Sequence, residues 1–168
     1  MEKNNFSLLR SKEIIAILDG DKDFGELTFE DKYGNETKIK IAMPYLSGPA
    51  ICELSSFFGL PATYSWSGGA LSRWQYFDNI MAFCIKQNRM SDFLSYLFSK
   101  DKFVDVLRDL SVKDIQSAHE AILQKVLEQI NSILYFGGHE LRAIGKVYQV
   151  CNVGEVVAVA APAVKIID

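Results

Sequence analysis

Cysteine is scarce and scattered in this chain: only Cys52, Cys84 and Cys151 occur, odd in number, far apart and outside any CxxC pair. Neither a disulfide framework nor a zinc knuckle is therefore indicated, and the three read as small core hydrophobes. Histidine is scarcer. His119 and His139 stand alone, in none of the HExxH, HxH or Cys/His arrangements that metal ligation requires, so no metal site and no cofactor is expected. The glycine fingerprints GxGxxG and GxxxxGK[ST] are missing as well, which removes the common nucleotide folds. Apolar runs stop short of the ~18 to 20 residues that span a bilayer, and the N-terminal MEKNNFSLLR lacks a signal-peptide core. No membrane partner is expected, and the cytoplasm is the expected address. Positive charge is in deficit, with 18 Lys and Arg against 21 Asp and Glu and a formal charge of −3. That balance argues against the broad basic surface of a non-specific nucleic-acid binder.

What is present is apolar mass: 49% of the 168 residues are hydrophobic and 12% aromatic, enough to bury a core without staples. One domain over residues 1–168 is the economical reading, since no repeat, linker or low-complexity tract interrupts it.

Periodicity orders the elements. Residues 11–18 read as a short helix ended by Gly20. Residues 26–30 and 37–41 alternate polar with apolar around a turn at 32–35, the pattern of a β-hairpin. Ser47 as N-cap with Pro49 just inside starts a second helix, lined by Ile51, Leu54, Phe57 and Phe58 and stopped by Gly59. Ser72 with Gln75 fits a capping box for a helix to about Asn88. Residues 91–99 and 102–110 predict two short amphipathic helices, and residues 113–135 a long one striped by Ile115, Ala118, Ile122, Val126, Ile130, Ile133 and Leu134. After Gly137 and Gly138 come three strand-like runs, 140–143, 146–151 and 155–160. The predicted fold is α+β: a central bundle of five to six helices with an N-terminal β-hairpin and a small C-terminal antiparallel sheet.

Chemistry is thin. His119 falls beside the apolar stripe, where a helix-surface histidine is the plain reading, and His139 follows the two glycines as part of a helix cap. Asp21 with Asp23, Glu30 with Asp31, and Asp105 with Asp109 are carboxylate pairs that read as turn residues or solvated charge. The unusual passage is 43–76, "MPYLSGPAICELSSFFGLPATYSWSGGALSRWQY", with both tryptophans, three prolines and an arginine. Ser67, Gly68 and Gly69 precede a helix start with Arg73 in its first turn, where amides and a guanidinium can hold an anion. Tyr and Trp beside Arg are also typical recognition residues, although the helical spacing of Trp74 and Phe77 favours core. The passage reads as a recognition surface on two helix starts, with Ser47, Gly48, Tyr64, Trp66, Arg73 and Tyr76 as candidate ligand- or partner-binding residues and no catalytic set.

"MPYLSGPAICELSSFFGL", the Gly/Ser loop with "LSRWQY", and the ending "INSILYFGGHELRAIGKVYQVCNVGEVVAVAAP" together resemble the N-terminal domains of bacterial abortive-infection proteins of the AbiJ type, over residues 39–162. The resemblance implies a non-enzymatic sensor or accessory module of a phage-defence protein, with a phage protein or a fused helical HEPN-type effector as partner. The effector's Arg-x4-6-His motif is not met here: Arg142 has no histidine after it, and Arg108 lies eleven residues before His119.

Two other readings stand beside this one. A small hydrolase or nuclease would use His119 with neighbouring carboxylates, and needs that histidine in a cleft. A dimerisation module would pair the 113–135 helix with a twin; an apolar stripe can be buried internally or against a copy, and the sequence leaves both open. A nucleic-acid or nucleotide ligand is a weaker candidate partner, through Lys38, Lys40, Arg73, Lys86, Arg89, Lys100 and Lys102.

Overall fold

The computed structural model describes residues 7–65 and 71–154. Local chemistry sets most boundaries. Ser11 accepts the Ile14 N–H at 3.4 Å and opens α1, Lys12–Leu18, whose Ile14, Ile15, Ile17 and Leu18 are all buried. β1, Glu26–Glu30, and β2, Glu36–Lys40, form an antiparallel hairpin with Leu27 opposite Ile39. Its turn is knit by the Asp31 carboxylate, which accepts the N–H groups of Tyr33 and Asn35 at 2.9 Å each.

Ser47 caps α2, Gly48–Phe57, accepting the Ala50 N–H at 3.2 Å. α3, Arg73–Lys86, starts at the expected capping box, where the Gln75 side chain accepts the Ser72 N–H at 2.9 Å. α4, Met90–Phe98, follows at once. The helix expected over 102–110 is instead a 3-10 turn, Lys100–Phe103, running into a single α turn, α5, Val104–Leu107. α6, Val112–Leu134, is capped by Ser111 and closes in a 3-10 turn, Tyr135–Gly137, with left-handed Gly138 behind it. β3, His139–Ile144, and β4, Val147–Asn152, pair antiparallel with Leu141 opposite Val150. The third strand expected at 155–160 lies outside the described residues.

Six α-helices and two separate two-stranded antiparallel sheets among the described residues make this an α+β fold. One contiguous cluster from Leu9 to Leu141 forms the core. Phe77, Phe93, Phe98 and Phe103 sit at its centre, Phe93 meeting both Phe58 and Phe77 edge-on, a geometry that adds to the area they bury. Most of the α6 stripe is spent inside this core: Ala118, Ile122, Val126, Ile130 and Leu134 are fully buried within the chain itself, and Ile115 and Ile133 are partly buried at its edge.

Two aromatic placements differ from expectation. Phe57 faces outward, 64% exposed, while its neighbour Phe58 is buried, because consecutive helical residues point about 100° apart. Trp74 lies at the surface, with the Lys12 ammonium 4.3 Å from its ring, whereas Phe77 is in the core.

Candidate functional site

The 43–76 passage holds its shape through Arg73. Its Nε and Nη2 donate to the Leu46 carbonyl at 2.8 and 2.6 Å, Nη2 also reaches the Asp19 carbonyl at 3.2 Å, and Nη1 donates to the Asp21 carboxylate at 2.7 Å. The guanidinium stacks over Tyr45, 4.3 Å from the ring centre. A planar five-donor fork suits this task, since one side chain can tie three separate backbone regions together. The same guanidinium thus braces the start of α3 against the end of α1 and the linker 43–46.

Asp19 completes the clamp from below. It is 1% exposed; its backbone carbonyl accepts the Leu46 N–H at 2.9 Å, and its Oδ1 accepts the Asp21 N–H at 3.1 Å. Its Oδ2 has no hydrogen-bond partner among the described residues, with the Arg73 Nη2 at 3.7 Å. Burial, the largest influence, pushes this carboxyl above the usual carboxylate range; the Asp21 N–H and the Arg73 charge pull the other way without prevailing. Gly20, at φ 87°, allows the linker to cross so closely that a Cβ there would overlap Pro44 and Tyr45 backbone.

The other residues proposed from the sequence also brace. Ser47 caps α2. Gly48 is buried under the Tyr64 ring, and a Cβ would collide with it. Tyr64 in turn packs against Tyr76, whose hydroxyl donates a long bond to the Thr63 carbonyl at 3.4 Å. Trp66, like Ser67, Gly68 and Gly69, lies outside the described residues.

What these braces hold in place is a groove of about 350 Å³. α1 contributes Leu18, and the linker contributes Met43, Pro44 and Leu46. α2 supplies Ala50, Leu54, Phe57 and Glu53; α4 supplies Tyr96 and Leu97; the 3-10 turn supplies Lys102. Its walls are mostly hydrocarbon, and it carries one acidic and one basic side chain, which is the make-up of a ligand-binding cleft. Phe57 stacks on Tyr96 at 5.0 Å, and the Lys102 ammonium lies 3.7 Å from the Tyr96 ring centre. Among the described residues Lys102 has only a long ion pair, 3.9 Å to Asp101. The Ser99 hydroxyl donates to that same carboxylate and holds it below its ordinary pKa, with Lys102 a lesser influence. Glu53 is exposed and has no ion pair among the described residues.

The polar and aromatic residues that the sequence marks for recognition are, in the fold, the braces. The groove's own walls are apolar and sit next to them in the chain. The only sequence signal was an outward position on α2, Phe57, hidden inside a two-residue aromatic run.

His119 is not on the surface. It is 8% exposed, with Nε2 2.8 Å from the Phe98 carbonyl and its ring edge-on to Phe103. The long helix lies deeper than the stripe alone suggests, and this histidine ties α6 to the end of α4. Of the cations considered for a nucleic-acid patch, Arg73 is committed to the clamp, and Arg89 donates to the Phe58 carbonyl at 2.8 Å. No group of three or more His, Cys, Asp or Glu among the described residues could hold a metal ion. No helix among them is long and apolar enough to cross a membrane.

The fold and groove define an α+β protein with a braced, apolar cleft. Residues 78–130, from within α3 to within α6 and less than a third of the chain, match the family model of a fungal ubiquitin-associated domain. No curated protein and no solved structure matches the chain. The family match overturns the resemblance to AbiJ-type N-terminal domains, and the phage-defence setting and HEPN-type effector inferred from it go with it. The SGP and SRW elements that carried the resemblance have a local explanation, as the cap of α2 and the clamp at the start of α3.

Proposed function

We propose that this chain is a binding module that works by recognition rather than turnover, and that the groove between α2 and α4 is its site. The observation that carries the reading is the groove's construction: hydrocarbon walls with a lone charge on each side, held by a half-buried arginine clamp that fixes the linker before any ligand arrives. Preorganisation of this kind lowers the ordering cost of binding.

The test is an apolar fluorescent dye of the anilinonaphthalenesulfonate type, titrated into the folded chain, beside an Ala50→Trp variant that fills the groove from its α2 wall. Dye emission should rise with the wild type and stay low with the variant, both showing the same cooperative melt. Emission that ignores the substitution places the dye elsewhere and sinks the reading.

A second reading comes from the match at 78–130: association of this helical stretch with ubiquitin, as that family's name states. It is favoured by a second apolar cavity of about 400 Å³ inside the matched stretch, lined by Phe103, Val104, Leu107 and Ile115. Exposed Val106 and Val112 lie in the same stretch. Ubiquitin titrated into isotope-labelled chain should shift the amide resonances of Val104, Val106 and Val112, and Val104→Asp should abolish the shifts. An unchanged spectrum removes this reading.

A further inference from the structure

Resting on the groove as the binding site, we infer that its occupant is a segment of another polypeptide carrying a bulky apolar side chain between an acidic and a basic residue. The apolar side chain fills the groove. The acidic residue lies towards Lys102 and the basic one towards Glu53.

Three observations select this occupant. The groove carries charges of both signs, Glu53 on the α2 wall and Lys102 on the wall made by α4 and its following turn. A lone anion such as a fatty acid gains from Lys102 and is opposed by Glu53, whereas a polypeptide can answer both. Both charges also have unused ion-pairing capacity: Glu53 has no ion pair among the described residues, and Lys102, whose ammonium lies over the Tyr96 ring, has among them only a 3.9 Å ion pair to a carboxylate already held by Ser99. Finally, the groove's aromatic wall is open to solvent. Phe57, which lines the groove, is still 64% exposed and stacked on Tyr96, a broad aromatic face that a polypeptide chain running across the groove covers more fully than a small molecule seated in it. Aromatic platforms beside a pocket are where protein interfaces concentrate their energy.

The experiment is selection of a phage-displayed random peptide library on the full chain, followed by measurement of the enriched peptides against variants. Enriched sequences should share an apolar anchor flanked by opposite charges. They should bind Ala50→Trp at least about tenfold more weakly, and Phe57→Ala, an exposed change that does not depend on repacking, should weaken them as well. Lys102→Glu should weaken binding by on the order of fivefold at low salt, with the difference shrinking as salt screens it. The double exchange Glu53→Lys with Lys102→Glu should select peptides with the charge order reversed. Enrichment without charge order, or binding indifferent to Ala50→Trp and Phe57→Ala, overturns the inference, as does an absence of enriched peptides. If dye binding is nevertheless lost in Ala50→Trp, the groove remains a site and only its polypeptide occupant is wrong. A chain that sediments as a dimer through Phe57 would make a second copy the occupant and overturn the inference too.

Discussion

Asp19 shows how a single residue can hold a site and weaken the fold at once. Its backbone carbonyl and Oδ1 both accept hydrogen bonds, yet its Oδ2 is buried with no hydrogen-bond partner among the described residues. A buried carboxylate is costly when ionised, and here burial raises its pKa above the unfolded value near ~3.9. The stabilising contribution of the neutral acid is complete below that unfolded value and is lost as pH rises through the folded one. Asp19→Asn removes the titration and keeps an oxygen for the Asp21 N–H. The variant's melting temperature relative to wild type should therefore climb between acid and neutral pH, other carboxylates cancelling in the difference. A difference that stays flat, or falls, would mean that the Arg73 pair at 3.7 Å outweighs burial.

At the scale of elements, the C-terminal hairpin owes its seat to one side chain of α6. Asn131 Nδ2 donates to the Leu141 carbonyl at 3.0 Å, and its Oδ1 accepts the Leu141 N–H at 2.6 Å. The amide thus does for β3 what a third strand would do. Leu141 is 2% exposed, so Asn131→Ala leaves two backbone groups with little water to replace the lost partner, at a cost of about 1–3 kcal/mol. Hydrogen exchange should quicken at Leu141 while the 26–40 hairpin is untouched. Asn131→Asp, which keeps the acceptor and loses the donor, should fall between the two. Equal protection in all three chains would show that packing alone seats the hairpin.

The same element scale explains what the sequence could reveal. The serines before α1, α2, α3 and α6 and the glycines behind α1, α2 and α6 mark boundaries because caps and left-handed turns are short-range chemistry, and β1 and β2 alternate because one face is wet. The 3-10 turn at Lys100–Phe103 left no such mark. The groove was illegible for a different reason: it joins Leu18, residues 43–57 and residues 96–102, and in each segment its apolar lining follows the same spacing as core. Arg73 stood out as an exposed-type cation, but its partners lie 27 and 52 positions away, beyond any local pattern.

At the scale of the whole molecule, the family match at 78–130 raises the question of whether that stretch is a unit of its own. Its ends fall inside helices: the match begins five residues into α3 and stops four residues before the end of α6. The core it would need is supplied from outside. α1 packs on both α3 and α6, α2 packs on α3, and the two strands of the C-terminal hairpin cover α6 and α4. Phe77, one residue before the match, is fully buried against Phe93 inside it, and Leu134, just beyond it, is fully buried too. Excision would expose these surfaces together, and each large apolar side chain returned to water costs about 1.5–3 kcal/mol, against a total stability on the order of 5–15 kcal/mol for a domain. A fragment of residues 78–130 should accordingly give helical circular dichroism without a cooperative melt and a collapsed amide spectrum, whereas residues 7–154 should melt in one transition. A fragment that melts cooperatively would divide the chain into an autonomous helical unit with additions. The groove, whose α4 and 3-10 wall lies inside the match and whose α1, linker and α2 walls lie outside it, would then sit at the seam between the two.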